Sequence, residues 1–269
     1  MINRQGKPTP CVRLGCDNSQ FDDVVDGEQW MNEERVISAA GDCVSLGDEA
    51  EVISVLRESV QGLWEVVNNL TRLRPTKRSQ FRVTIFGSAR IPKDHWVYGA
   101  VRDLAAELTR MGCGIVTGGG PGLMQAANEG ATLAEPEARE RSIGIRVHLP
   151  FEQDVNAFVG DAYTHRTFFS RLHHFVLISD AFVVVPGGIG TVLELAMIWQ
   201  LLQVRGLDRT PLILIGQMWA DFVSWGRKYL LRPEFPLATN EDLAIPICVD
   251  KVEEAMALIR RHHTEWMRG

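Results

Sequence analysis

Ala181-Phe182-Val183-Val184-Val185-Pro186-Gly187-Gly188-Ile189-Gly190-Thr191-Val192-Leu193-Glu194 is the stretch on which the fold turns. Its first five residues are apolar without alternation, too short a run for a helix and rich in β-branched side chains. That pattern predicts a strand buried on both faces, as parallel sheets require. Pro186-Gly187-Gly188 ends the strand, and residues 191–203 resume at helical spacing. The same succession occurs upstream. Residues 113–117 read as a strand, Gly118-Gly119-Gly120 as its end, and residues 121–133 as a helix with Pro121 in its first turn.

Working outward, strands are expected at 82–86, 142–147, 211–215 and 245–249. Helices are expected at 96–111, 167–177, 218–230 and 252–262. Strand and helix alternate, which implies right-handed crossovers and a parallel sheet covered on both faces. The fold class is therefore α/β: a Rossmann-like parallel sheet flanked by helices, with an N-terminal helical extension. The organisation expected is a polar arm, amphipathic helix and linker over residues 1–78 and a nucleotide-binding catalytic domain over 79–269. Residues 1–45 carry Asp22, Asp23, Asp26, Glu33 and Glu34 without a period. Residues 48–73 place Val52, Val55, Leu56, Val60, Leu63, Val66, Val67 and Leu70 at three- and four-residue steps, a helix that packs on the main domain or on a second subunit.

The chain has 269 residues and a net charge of -6, so no general basic field favours nucleic acid. Five cysteines, without a Cys-x-x-Cys pair, fit reduced thiols better than a disulfide framework or a zinc site. No apolar run reaches the ~20 residues of a membrane span, and the first ten residues lack an apolar signal core. A cytoplasmic protein is expected.

In parallel α/β sheets ligands bind beyond the carboxyl ends of the strands, where both glycine clusters lie. Glycine admits close backbone approach, and the helix that follows offers free N–H groups and a positive dipole end, together a phosphate site. Neither cluster is a Gly-x-Gly-x-x-Gly dinucleotide loop or a Gly-Lys-Ser/Thr loop. Thr191 is expected to cap its helix or touch a phosphate oxygen. Glu194 shares a helix face with Thr191, where it either complements the dipole or faces the ligand's sugar. Arg171 lies in the apolar Phe168-Phe169-Ser170-Arg171-Leu172, so it must snorkel, pair or bind an anion. His173 and His174 are adjacent and point apart, which disfavours a metal pair. Ser88, after Gly87, is placed to meet a ligand; Arg90 does the same or is solvated. Trp199, Trp219, Trp225 and Trp266 are expected to be packing or interface residues rather than stacking platforms.

Four blocks together resemble the lonely guy (LOG) family of nucleoside 5′-monophosphate phosphoribohydrolases. They are Phe86-Gly87-Ser88-Ala89-Arg90, then Gly118-Gly119-Gly120-Pro121-Gly122-Leu123-Met124, then Arg171, then Pro186-Gly187-Gly188-Ile189-Gly190-Thr191-Val192-Leu193-Glu194. The resemblance covers roughly residues 81–262. It implies hydrolysis of the N-glycosidic bond of a purine nucleoside 5′-monophosphate, AMP-like or N6-modified, giving free base and ribose 5-phosphate. It also implies a homodimer or larger homo-oligomer. Carried over onto this chain, the catalytic residues are Arg171 and Glu194. The substrate- and phosphate-binding residues are Ser88, Gly118, Gly119, Gly120, Met124, Gly187, Gly188, Gly190 and Thr191. No metal and no cofactor is expected, and no nucleic-acid or membrane partner.

The family usually has lysine directly after the arginine, where this chain has Leu172. Loss of that cation weakens phosphate binding or redirects base preference, and it motivates the alternative of a non-catalytic nucleotide or cofactor carrier on the same fold. Family members are often labelled lysine decarboxylases. A pyridoxal phosphate enzyme needs a Schiff-base lysine, and Lys7, Lys77, Lys93, Lys228 and Lys251 all fall outside the motif blocks.

Overall fold

The structure is a computed structural model that describes residues 49–59, 80–147, 155–205 and 210–268. The chain divides into two compact units, Met1–Arg72 and Leu73–Gly269. In the first, residues 49–59 form a helix, α1, in which the Ser59 hydroxyl donates to the Val55 carbonyl. The rest of the helix expected over 48–73, the arm before it and the boundary expected at 78 lie outside the described residues.

The second unit carries seven strands: β1 (Arg82–Phe86), β2 (Gly114–Thr117), β3 (Ser142–Val147), β4 (Asp161–His165), β5 (Ala181–Val184), β6 (Leu212–Ile215) and β7 (Pro246–Val249). Its helices are α2 (Trp96–Arg110), α3 (Leu123–Ala134), α4 (Phe168–Ile178), α5 (Ile189–Arg205), α6 (Gln217–Leu230) and α7 (Val252–Arg268). The strands form one sheet in the order β4-β3-β2-β1-β5-β6-β7, and every neighbouring pair is parallel. The chain winds outward from β1 through β2 and β3 to β4, then returns to the other side of β1 with β5. This reversal is the doubly wound arrangement, and it leaves the crevice at the β1/β5 boundary.

Strand periodicity distributes the core. Val83 and Ile85 face a cluster with Val101, Leu104 and Leu108 of α2, Ala127 of α3 and Ile259 of α7. Phe86 belongs to the opposite cluster, with Phe175 of α4, Leu195 and Ile198 of α5 and Trp219 of α6. Both faces of the central strands are thus covered by apolar helix stripes, which is why 82–86 and 181–185 read as strands from composition alone.

Three expectations need correction. β4 was not among the strands read from the sequence: Asp161-Ala162-Tyr163-Thr164 is exposed, so this edge strand lacks the apolar run that marked the others. Pro121 is not in the first turn of α3. The helix begins at Leu123, and the residue before it, Gly122, has φ of 65°, a left-handed conformation that glycine adopts readily. Thr191 is the third residue of α5 rather than its cap.

Helices α2 and α3 pack closely because Gly130 has no side chain: a Cβ there would stand 2.0 Å from the Arg102 carbonyl oxygen. In an exposed helix Gly→Ala stabilises. Here Gly130→Ala is expected to destabilise by about 1–3 kcal/mol, the cost of overpacking a tight interior contact. Urea denaturation midpoints of the two proteins measure the sign.

Candidate active site

Three loops meet where β2, β1 and β5 end side by side. The middle one starts at Gly87, where a Cβ would come 2.5 Å from Val185 Cγ2 and 2.9 Å from Leu123 Cβ, so only glycine lets the β1 loop pass between its neighbours. Ser88 then ties the three together through its backbone. Its N–H donates to the Pro186 carbonyl at 3.1 Å, and its carbonyl accepts from the Leu123 N–H at 2.9 Å. The Ser88 hydroxyl accepts from the Arg90 N–H at 3.1 Å, so it shapes its own turn. Arg90 is exposed.

The first glycine loop is held by a polar network that the sequence motifs did not single out. The Gly119 N–H donates to Thr117 Oγ1 at 2.9 Å, and that hydroxyl donates to Asn128 Oδ1 at 2.6 Å. Asn156 reaches in from the segment before β4. Its amide nitrogen stands 3.1 Å from the Gly119 carbonyl, 3.0 Å from the Gly120 carbonyl and 3.1 Å from Asn128 Oδ1. Its backbone N–H also donates to the Gly119 carbonyl at 2.9 Å. Asn128 Nδ2 completes the network on Ser142 Oγ at 2.9 Å. Asn128 and Thr117 are fully buried, so these bonds replace water and fix the loop's shape. An asparagine on the apolar side of α3 was the available signal for Asn128. Asn156 lies in an aperiodic stretch and carried none.

Met124 lies over the same loop. A Cβ on Gly118 would be 2.7 Å from its sulfur and one on Gly120 2.8 Å from its Cε. Gly118 also faces Arg171, whose Nη2 would lie 2.4 Å from such a Cβ. At the second loop, Thr191 is buried, and a Cβ on Gly187 would be 2.3 Å from its hydroxyl, so this side chain packs under its own loop. Gly188 and Gly190 are exposed, and a Cβ on either meets nothing within 4 Å.

Arg171 and Glu194, twenty-three positions apart in sequence, form an ion pair of 3.0 Å, and each residue is 9% exposed. Arg171 Nε donates to the Ile145 carbonyl of β3 at 2.8 Å, and its guanidinium lies 5.3 Å from the centre of the Phe175 ring. Burial pushes the Glu194 carboxyl up to about 7, against the opposing pull of Arg171. The paired reading of Arg171 therefore describes the geometry, with Glu194 as its partner. Leu172 is buried in the core with Phe86, Val116 and Ile143, so the position after the arginine points into the sheet-facing interior rather than toward the loops. His165 lies near the arginine and is lowered from its ordinary range by burial and by the Arg171 charge. Its Nε2 is 2.9 Å from His174 Nδ1.

Among the described residues no group of three or more His, Cys, Asp or Glu is arranged to hold a metal. No described helix is long and apolar enough to cross a membrane.

Replacing Arg171 by Met removes the opposing influence on the Glu194 carboxyl and leaves its burial unchanged. The variant is expected to be less stable by about 3–5 kcal/mol at pH 8, the cost of an uncompensated buried charge. A carboxyl raised in the folded state binds a proton that the unfolded chain has already lost, so stability falls as pH rises from about 4.5 through the folded-state value. The deficit of R171M should therefore shrink at pH 5.5, and the effect of R171M in an E194Q background, R171M/E194Q against E194Q, should show no such pH dependence, as measured by denaturant unfolding.

A family model described as "Possible lysine decarboxylase" matches residues 124–259, which include Arg171, the second glycine loop and Glu194. No curated protein matches the chain in a sequence comparison. Among solved structures, the Moco carrier protein from Chlamydomonas reinhardtii is similar at 19% identity and a TM-score of 0.50, covering 69% of this chain and 99% of that one. The molybdenum cofactor binding protein of Rippkaea orientalis is similar at 19% identity and a TM-score of 0.50, covering 69% and 98%. At this identity the likeness concerns the fold.

Among the described residues, no lysine stands with the Arg171–Glu194 pair, where a lysine decarboxylase's cofactor would require one. Lys93 is exposed beside Glu129, Lys228 lies over the Tyr229 ring, and Lys251 lines a cavity between α2 and α7 whose walls include neither Arg171 nor Glu194. Lys7 and Lys77 lie outside the described residues. With its Rossmann-like sheet, its motif blocks and the matched model spanning half its length, the chain belongs to the family described as possible lysine decarboxylases, as a LOG-type member whose site offers an arginine–glutamate pair where that description calls for a lysine.

Proposed function

We propose that this protein hydrolyses the N-glycosidic bond of a purine nucleoside 5′-monophosphate, AMP or an N6-modified relative, in the cytoplasm. The observation that carries the reading is the buried Arg171–Glu194 pair beside Gly118. A second observation supports it. The fold gives no steric reason for glycine at 188 or 190, since a methyl group there would meet no described protein atom within 4 Å. Close approach of a phosphate to the backbone supplies such a reason.

In this reading the loops around Gly118–Gly120 and Gly187–Thr191, with Ser88 between them, hold the 5′-phosphate, and Met124 lines the ligand's position. Phosphate binding energy then positions a reacting bond at the far end of the ribose. As the bond from C1′ to the base nitrogen breaks, its electron pair leaves with the base and positive charge grows on the ribose. The ionised Glu194 stabilises that charge and takes a proton from the water whose oxygen bonds to C1′. The base takes up a proton from solvent, and the Arg171 N–H groups steady the charge on the leaving group or the hydroxyls of the ribose.

A second reading is a nucleotide or cofactor carrier without turnover. It is favoured by Glu194 being already engaged by Arg171. The two similar structures are named as a carrier and a binding protein for the molybdenum cofactor. Self-association into a homodimer or larger assembly belongs to the first reading and is measured by light scattering.

Incubation with AMP, GMP, CMP, UMP and an N6-substituted AMP, followed by chromatography, should release adenine or the modified base. Glu194→Ala should lower the rate by about 100- to 10,000-fold, the range for loss of a general base. Because the carboxyl must be ionised, kcat/KM should rise with pH through about 7. Gly188→Ala should raise KM and leave the melting temperature unchanged. Saturable nucleotide binding with no base released above the Glu194→Ala control rejects hydrolysis in favour of the carrier.

A further inference from the structure

A second concavity lies away from the glycine loops, between α5, α6 and the segment that follows α6. It has a volume of about 300 Å³, at the lower end of small-ligand cavities. α5 contributes Trp199, and α6 contributes Phe222 and Trp225, whose rings lie nearly parallel with centres 6.2 Å apart. Gly226 and two alanines leave the space open. Among the described residues, the one ionisable residue lining it is Asp242; no lysine, arginine or histidine lines it.

Two nearby cations have partners of their own, Arg227 on the backbone of the wall residue Leu243. Arg227 donates to the Leu243 carbonyl at 2.8 Å, and Arg232 lies over the Tyr229 and Phe235 rings. The Trp199 indole N–H donates to the Asp242 carbonyl at 2.7 Å, so that donor is already occupied. The Asp242 carboxylate accepts from the Thr239 N–H at 2.8 Å. That bond, and a further one from Gln203, hold it below the ordinary carboxylate range and therefore ionised.

We propose that this cavity binds a small organic cation with an apolar body, an alkylated ammonium compound, between the three aromatic rings and the Asp242 carboxylate. The ring faces carry negative charge density, which attracts a weakly hydrated ammonium, and the carboxylate supplies the counter-charge. An uncharged apolar ligand would gain from the rings alone, and an anion would be repelled. Trp219, by contrast, is the packing residue the sequence suggests: it is buried, and its indole N–H donates to the Val185 carbonyl at 3.2 Å.

The test is calorimetric titration of the full chain with choline and with 3,3-dimethylbutan-1-ol, its uncharged isostere. Choline should bind saturably, at least tenfold tighter than the alcohol. Trp225→Ala should abolish choline binding, and Asp242→Asn should weaken it severalfold. Trp225 is 54% exposed, so its removal should leave the melting temperature intact, and the comparison of the two ligands needs no variant. Equal affinity for choline and the alcohol, no saturable choline signal, or undiminished binding by Trp225→Ala each overturns the proposal. These measurements involve no nucleotide, so their failure leaves the hydrolase reading untouched.

Discussion

Two opposite charges taken out of water must find each other, and in this protein that requirement joins distant parts of the fold. Arg171 descends from α4 and Glu194 from α5, and they meet at 3.0 Å with the arginine also bound to the β3 backbone. Desolvating an arginine and a carboxylate costs several kcal/mol per ion, by order of magnitude, so the pair persists only because its geometry is well made. The same burial pushes the carboxyl up to about 7, against the opposing pull of Arg171. The two helices and the sheet beneath them can be read as the support for one pair of side chains.

The two glycine clusters looked alike in sequence and are built differently. The first is pinned from below by Thr117, Asn128 and Asn156, the ends of Arg171 and Met124 lie against Gly118, that of Met124 against Gly120, and Gly119 takes a positive φ of 73°. The second rests on Thr191, while Gly188 and Gly190 face outward without a described protein neighbour to crowd them. The first loop is therefore held by a buried hydrogen-bond network. In the second, Gly187 is confined by Thr191, while Gly188 and Gly190 leave room for a Cβ.

Much of this architecture was legible because buried strands leave continuous apolar runs and because glycines after strands stand out against them. Residues 181–185 and 212–215 could hardly be anything else. β4 was invisible because an exposed edge strand has no apolar run to display. Pro121 was misplaced because the helix start after it is set by Gly122 and by the hydrogen bond between Ser88 and Leu123, not by local preference. Within the candidate site, Arg171 and Glu194 stood out as charges in apolar helices. Their contact did not, since no local spacing records an encounter between two helices. Leu172 shows the limit from the other side: its identity was readable, but only the core around it tells which way it points.

The segment that carries Asn156 leads directly into β4, the outermost strand on that side of the sheet. Edge strands lie at the low end of the range of local opening free energies. The rigidity of the first glycine loop is thus borrowed from one of the least protected parts of the fold. Anything that tightens the loop must also quiet the sheet margin, and any fraying of that margin is felt as a softened glycine loop. Amide exchange along β4 is in this sense a remote gauge of how well the loop at the sheet's centre is formed.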